Sequence, residues 1–482
     1  MGTEPLAVLD QEFIMVRFFL TTLMLFSFLT KGVGAEPVFR AGAFAQDITP
    51  TQFPISVNGG MSDVKATGFH DRLHARCLVL DDGKTRLAFA VCDSCMIPRE
   101  VFDLAKKKAS AATGIATSQM LFSATHTHSA PTATGVFQSE PDNNYPTFLA
   151  GQIAEGIVAA NKRLAPAKIG WAVGSDPKQI FNRRWFMKPG TILADPFGNT
   201  TDRVQMNPGY QNPKLDKQAG PMDYDVSVIS VTTPKGKPVA LLANYSLHYV
   251  GGNPALSADY FGAFAERVGE LLNADSSFVG IMSNGTSGDV NNVNFAASAP
   301  VGRKPGEQIR FVADSVAKAA VAAEKTILYR DYVTLYGGVK EMEIGVRKPS
   351  QSAVDMAKGI LAKANKTVLT TQAEIYARET ILLEKYPEKV RLILQAFRVG
   401  DLGICAIPCE VFTEIGLELK KKSPFKPTFT IELANGYNGY LPTPEQHQLG
   451  GYETWRARSS YLEIDASPKI TQTLLELLEK GK

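Results

Sequence analysis

Cysteine is scarce in this chain: 482 residues contain five, at positions 77, 92, 95, 405 and 409. So few, so unevenly spaced, exclude a disulfide framework, and the lone Cys92-Asp93-Ser94-Cys95 lacks the partner pair of a zinc ribbon. That segment reads instead as small buried residues closing a strand. Tryptophan (three) and histidine (six) are also rare, and neither sign of charge is in real excess, the net charge being +3. Without a lysine- or arginine-rich tract interleaved with aromatics, a nucleic-acid partner is excluded. Low-complexity linkers and internal repeats are absent from the sequence. Hydrophobic residues at 44% and charged residues at 21% are ordinary for a globular protein.

A membrane-spanning run is missing as well. Residues 18–29 (FFLTTLMLFSFL) are uncharged and mainly apolar, but a span needs about 20 residues. The segment fits the core of a signal peptide. Arg17 precedes it, and Val33-Gly34-Ala35 supplies the small residues that a signal peptidase reads, so cleavage is expected after Ala35. Acidic residues before Arg17 suit such a leader poorly, and a start at Met15 would remove them. The chain therefore divides into a signal peptide over residues 1–35 and one large domain over 36–482, secreted or periplasmic.

The remaining pattern alternates strands and helices. Residues 73–80 and 86–91, joined by Asp81-Asp82-Gly83-Lys84, read as a β-hairpin. Helical spacing follows at 99–110, 145–163, 260–272, 307–323 and 470–478. Strands are expected at 225–231, 239–244, 278–282, 390–398, 403–407 and 428–433. A helical insertion rich in Ala, Lys, Glu and Leu covers 352–384. This alternation predicts an α/β fold.

Reactive side chains gather in loops after strands. Ser123-Ala124-Thr125-His126-Thr127-His128-Ser129 carries two of the six histidines. If residues 125–128 are extended, both imidazoles face one side, as a metal or acid/base site requires. A polar loop would explain the pair equally well. Asn244-Tyr245-Ser246-Leu247-His248, Pro408-Cys409-Glu410 and Gly436-Tyr437-Asn438-Gly439-Tyr440 repeat the theme, and these are donor types that zinc favours. A glutamate opening a helix can equally be an electrostatic cap. Asn284-Gly285-Thr286-Ser287-Gly288 is glycine-rich but lacks the lysine of a phosphate-binding loop.

Taken in order, these residues resemble the neutral/alkaline ceramidases, a family of secreted zinc-dependent amidases. The resemblance runs from about Gly42 to Tyr452. It rests on Gly68-Phe69-His70-Asp71-Arg72, Thr125-His126-Thr127-His128-Ser129, Asn182-Arg183, His248, Gly288-Asp289-Val290, Pro408-x-Glu410, Tyr440 and Tyr452-Glu453. It implies an α/β catalytic domain of mixed sheets with flanking helices, here without the family's C-terminal immunoglobulin-like domain. It implies Zn2+ held by His126, His248, Glu410 and Tyr440. His128 falls on a second active-site histidine, Arg183 on a substrate-contacting arginine and Tyr452 on a tyrosine that stabilises the oxyanion. His70 and His74 read as structural. Asn291 stands where the family has a serine proposed as nucleophile. Zinc-activated water is then the expected nucleophile, with Thr286 or Ser287 as substitutes. The implied activity is hydrolysis of an N-acyl amide, a ceramide-like lipid first, with transient contact at a membrane surface. A different amide or ester substrate, or a non-catalytic metal-binding relative, are the other readings.

Overall fold

The computed structural model describes residues 1–3, 38–142, 144–252, 255–299 and 304–482. Residues 4–35 of the expected signal peptide lie outside the described residues. Among those described, no helix is long and apolar enough to cross a membrane.

The body from Val38 to Lys482 is built on one chain path used three times. Strands β1 (Arg40–Asp47), β2 (His74–Asp81), β3 (Arg86–Cys92) and β4 (Met120–Ala124) form a sheet ordered β4-β3-β2-β1, with the two-residue strand Ala165–Pro166 at the edge beyond β1. The first three are antiparallel neighbours; helix α1 (Arg99–Thr113) then carries the chain to β4, parallel to β3, and α2 (Tyr145–Lys162) follows. The second pass uses β5 (Lys168–Ser175), β6 (Asp225–Thr232), β7 (Pro238–Tyr245), α3 (Asp259–Leu271), β8 (Val279–Asn284) and α4 (Glu307–Glu324), ordered β8-β7-β6-β5. The third uses β9 (Leu335–Gly345), β10 (Lys389–Val399) and β11 (Leu402–Ala406). It ends, after the short β12 (Glu410–Val411), with α7 (Thr413–Lys422) and β13 (Thr428–Ile431). Its order is β13-β11-β10-β9, again with only the last pair parallel. The sequence shows no repeat, yet the structure has three.

Their strands explain why. Along β3, Leu87, Phe89 and Val91 turn to a core shared by all three sheets, while Ala88, Ala90 and Cys92 face the helices α1 and α2. Both faces are buried, so each repeat needs only apolar residues of suitable volume, and many sequences satisfy that. Ile229, Leu242 and Ile281 from the second sheet and Phe397, Ile404 and Phe429 from the third complete the shared core. Phe89 and Phe397 meet edge-on there, 5.4 Å between ring centres. Helices cover the outer faces, with α8 (Ala466–Glu479) over the third sheet.

Most expected elements appear within a few residues of their sequence boundaries. The helical insertion is two helices, α5 (Gln351–Ala364) and α6 (Gln372–Glu384). Asn365 ends the first in the left-handed region (φ 43°), and Thr371 with Glu374 forms a capping box that starts the second. All five cysteines are free and buried.

Candidate metal centre

Strand ends of all three repeats meet at one point. The chain does not remain extended from Thr125 to His128, as the alternation reading required: β4 stops at Ala124, and His126 adopts φ 75°. The N–H groups of Thr125 and His126 donate to the carbonyls of Cys92 and Ser94, at 2.9 Å each. Those contacts turn the backbone, and the turn, rather than a strand pleat, lets His126 and His128 converge. Their Nε2 atoms are 3.2 Å apart. His248, three residues beyond β7, brings its Nε2 to 3.2 Å from His126 Nε2. Glu410 sits in β12, which pairs in parallel register with β14 (Tyr440–Leu441), so Glu410 and Tyr440 are direct cross-strand neighbours. That position makes Glu410 a strand residue and not a helix cap.

Each repeat supplies a donor and the group that aims it. His126 Nδ1 lies 2.8 Å from the Cys95 carbonyl, and His248 Nδ1 lies 3.1 Å from the Ser287 carbonyl. Donating there fixes the Nδ1–H form and leaves each Nε2 with a lone pair facing the centre. In the third repeat Glu432, fully buried just past β13, accepts the Val411 N–H at 2.7 Å, next to Glu410. Glu432 also takes Ser287 N–H (3.1 Å), Ser287 O–H (2.5 Å) and an Asn284 amide N–H (3.0 Å), tying the second and third repeats together. Burial pushes its carboxyl up to about 8.

Three imidazole nitrogens and a carboxylate therefore crowd one buried space. His126, His248 and Glu410 form a group whose ligand atoms all lie within 4.8 Å of one another. Glu410 Oε1 accepts from Tyr437 O–H at 3.0 Å, but Oε2 is buried without a hydrogen-bond partner. His126 Nε2, 3.3 Å from Oε2, is near enough for attraction but not aligned to donate. Such a set of convergent lone pairs with an orphaned carboxylate oxygen fits a divalent metal ion. Burial, then Arg183 and the neighbouring imidazoles, pushes His248 well below its usual range; burial, His126 and Arg183 do the same to His128. Burial opposes charge on His126 too, but Glu410 and Cys95 together outweigh it and hold that pKa well above the ordinary value, so an ion binding at Nε2 would displace a proton there.

Arg183 runs along the other side of the centre. Its guanidinium donates to the Gly288 carbonyl (2.9 Å), Tyr440 O–H (3.1 Å), His248 Nε2 (3.1 Å) and Glu453 (3.1 Å). Glu453 also accepts from Arg184 at 2.6 Å. Tyr452 packs edge-on to Tyr440, 5.8 Å between ring centres, and lines the same cavity of about 30 Å³ with His126, His128, Glu410 and Tyr437. Tyr249 stacks on His128 at 3.7 Å, and Gly59 closes the opposite face: a Cβ there would fall 2.4 Å from the His128 ring.

Of the residues expected from sequence, His126, His128, His248, Glu410, Tyr440, Arg183 and Tyr452 are thus brought together. Asn291 is not placed among them. Its amide donates to Asn207 at 2.9 Å, and its carbonyl accepts from Val293 N–H. Neither substitute hydroxyl faces the convergence point: Ser287 lies behind the His248 ring on its Nδ1 side, and the Thr286 hydroxyl meets Ser246. Sequence reading did not assign Tyr437, Tyr249, Glu432 or Glu453. Tyr249 and Glu453 directly follow residues it did assign and Tyr437 shares a loop with Tyr440, whereas Glu432 carries no local signal.

Residues 39–184, which reach from β1 to Arg184, match the family model described as "Neutral/alkaline non-lysosomal ceramidase, N-terminal". The fold is that of a ceramidase. Neutral ceramidase from Pseudomonas aeruginosa superposes with a TM-score of 0.70 at 17% identity, over 92% of this chain and 74% of that one. A structure described as ceramidase complexed with C2 gives 0.69 at 17% identity, over 92% and 75%.

Proposed function

We propose that this chain is an exported zinc-dependent hydrolase that cleaves an N-acyl amide, with an N-acyl sphingoid base as the first substrate to try. The observation that carries the reading is the orphaned, buried Oε2 of Glu410 beside imidazoles whose Nδ1 atoms face carbonyls. His126, His248 and Glu410 would hold the ion, with Tyr440 beside them. A zinc ion in such a site polarises a carbonyl and lowers the pKa of water to about 7.

The chain's own groups account for the rest. His128, kept neutral by burial and by nearby positive charge, is in the form that takes a proton from the attacking water. Tyr452 offers an O–H, and Arg183 a fixed positive charge, where negative charge develops on the substrate carbonyl oxygen. Two clefts flank the centre and would receive the two sides of a scissile amide. One, about 270 Å³, runs past Tyr452 between Met61, Leu193, Met206 and Trp455; the other, about 380 Å³, lies past His128, Gly59 and Tyr249. The small volume at the centre itself favours a second reading, a compact amide or ester as substrate.

Metal analysis of the purified protein, with a panel of N-acyl amides and esters of graded chain length, tests both readings. Stoichiometric zinc with long-chain amide turnover supports the first, and turnover of short-chain compounds alone supports the second. Zinc without any turnover would overturn the catalytic assignment. Export with cleavage after Ala35 is part of the proposal; mature protein that retains residues 18–29 in mass spectrometry would refute it.

A further inference from the structure

A larger cleft, about 450 Å³, lies between the insertion helices and residues 447–456. One wall is apolar, formed by Met356, Ala357 and Ile360 of α5 and Ala373 and Ala377 of α6, with Phe197 across from them. The other carries two cations, Arg347 and Arg456. Arg347 donates only to uncharged oxygens: the Leu462, Thr454 and Ser460 carbonyls and the Ser460 hydroxyl, at 2.8–2.9 Å. Arg456 stands over the Phe197 ring at 5.8 Å, and its Nε is buried without a hydrogen-bond partner. Neither arginine has a carboxylate partner among the described residues. Burial and the proximity of Arg456 push Arg347 down to about 10, still charged at neutrality.

Two aspartates also line the cleft, and both are engaged elsewhere. Asp195 accepts the N–H groups of Phe197 and Asn199 and the Asn199 amide, and Asp202 accepts the Trp455 indole N–H at 2.8 Å. Burial pushes His447, which also lines the cleft, down to about 3, so it is uncharged.

We propose that this cleft binds an amphiphilic monoanion, a carboxylate on an apolar body, with the head group on Arg456 and Arg347 and the body against α5 and α6. The volume lies within the usual range for small-molecule sites. A planar carboxylate matches the guanidinium fork, and no carboxylate of the described residues pairs with that of Arg456. The two aspartates would repel a second negative charge, which disfavours phosphate. Asp202 and Trp455 also line the cleft beside Tyr452, so the two spaces share a wall. The acid released from an N-acyl amide has this chemistry, but the inference stands on the cleft and not on that reaction.

Octanoate titration of the full chain, followed by tryptophan fluorescence and by calorimetry, tests it, with octanol, octylamine and inorganic phosphate as comparisons. One-to-one octanoate binding is expected, with the other three at least tenfold weaker. Arg456→Gln should weaken octanoate roughly 10- to 100-fold, the equivalent of one charge-assisted hydrogen bond. The same variant should keep its unfolding midpoint and its basal hydrolysis. Met356→Glu, on the exposed apolar wall, should weaken binding as well. Octanol binding as tightly as octanoate, no octanoate binding at all, or full binding by a folded Arg456→Gln variant would each overturn the assignment.

Discussion

Replacing Glu453 with glutamine removes one buried charge and leaves the side-chain shape. Glu453 is fully buried between two guanidiniums, with Arg183 Nε at 3.1 Å on one oxygen and Arg184 Nη1 at 2.6 Å on the other. Both arginines are buried too. Glutamine retains one acceptor and turns an NH2 toward one of the arginines. Arg183 keeps the Gly288 carbonyl and Tyr440 hydroxyl, and Arg184 keeps the Gly450 carbonyl, so neither loses all its acceptors. What both lose is the counter-charge. Breaking a buried pair from one side costs about 3–5 kcal/mol, and the upper end is expected because two cations share this carboxylate.

Urea unfolding followed by circular dichroism would measure the loss in Glu453→Gln, Arg184→Met and the double variant. Since the two side chains touch, the double variant should be less destabilised than the sum of the singles by roughly 0.5–3 kcal/mol. Glu453→Gln should also lower kcat in folded protein, because Arg183 would no longer be held beside His248 and Tyr440. An unchanged urea midpoint, or additivity of the two substitutions, would refute the view that this carboxylate holds the arginine pair.

His126→Ala and Glu410→Ala should each abolish stoichiometric metal binding, measured by elemental analysis after dialysis. Glu432→Gln should weaken metal affinity about 10- to 100-fold in chelator competition, since this side chain positions the Ser287 and Glu410 loops, and excess metal should restore activity. His128→Ala should keep the metal and lose about 10²- to 10⁴-fold in turnover. Burial raises the Asp289 carboxyl to about 6 from an ordinary 3.8. Its favourable contribution is therefore complete below pH 3.8 and is lost as pH rises through about 6. That loss is about 3 kcal/mol, and the stability difference between the wild type and Asp289→Asn should shrink over this range.

Local chemistry made much of this fold readable. The Asp-Asp-Gly-Lys turn between two apolar runs marks the β2–β3 hairpin, and helical spacing marks α1 to α4 within a few residues. The route by which His126 and His128 meet was not readable. It depends on the carbonyls of Cys92 and Ser94, some thirty positions earlier, capturing two N–H groups. Physical reading of the sequence reached donor types without a ligand set, since His126 and His248 stand 122 residues apart and only the packed sheets join them. The supporting groups are harder still. The carbonyls of Cys95 and Ser287 belong to every residue type, and Glu432 is marked only by the four donors that the fold brings to it.

The three donors come from three different passes of the chain, which changes what an ion here would do for the folded state. Each pass has its own helices, and a shared apolar core joins the sheets. A ligand bridging His126 and His248 would close a loop of about 120 residues, and constraining a loop of that length restricts the unfolded chain by about 4–5 kcal/mol in polymer models. The ion would then act as a tie across the whole body as well as a reagent. Stripping it should loosen the ends of β4, β7 and β11 together while leaving each sheet's outer helices protected. Amide exchange would show this as a coordinated rise at three places far apart in the sequence.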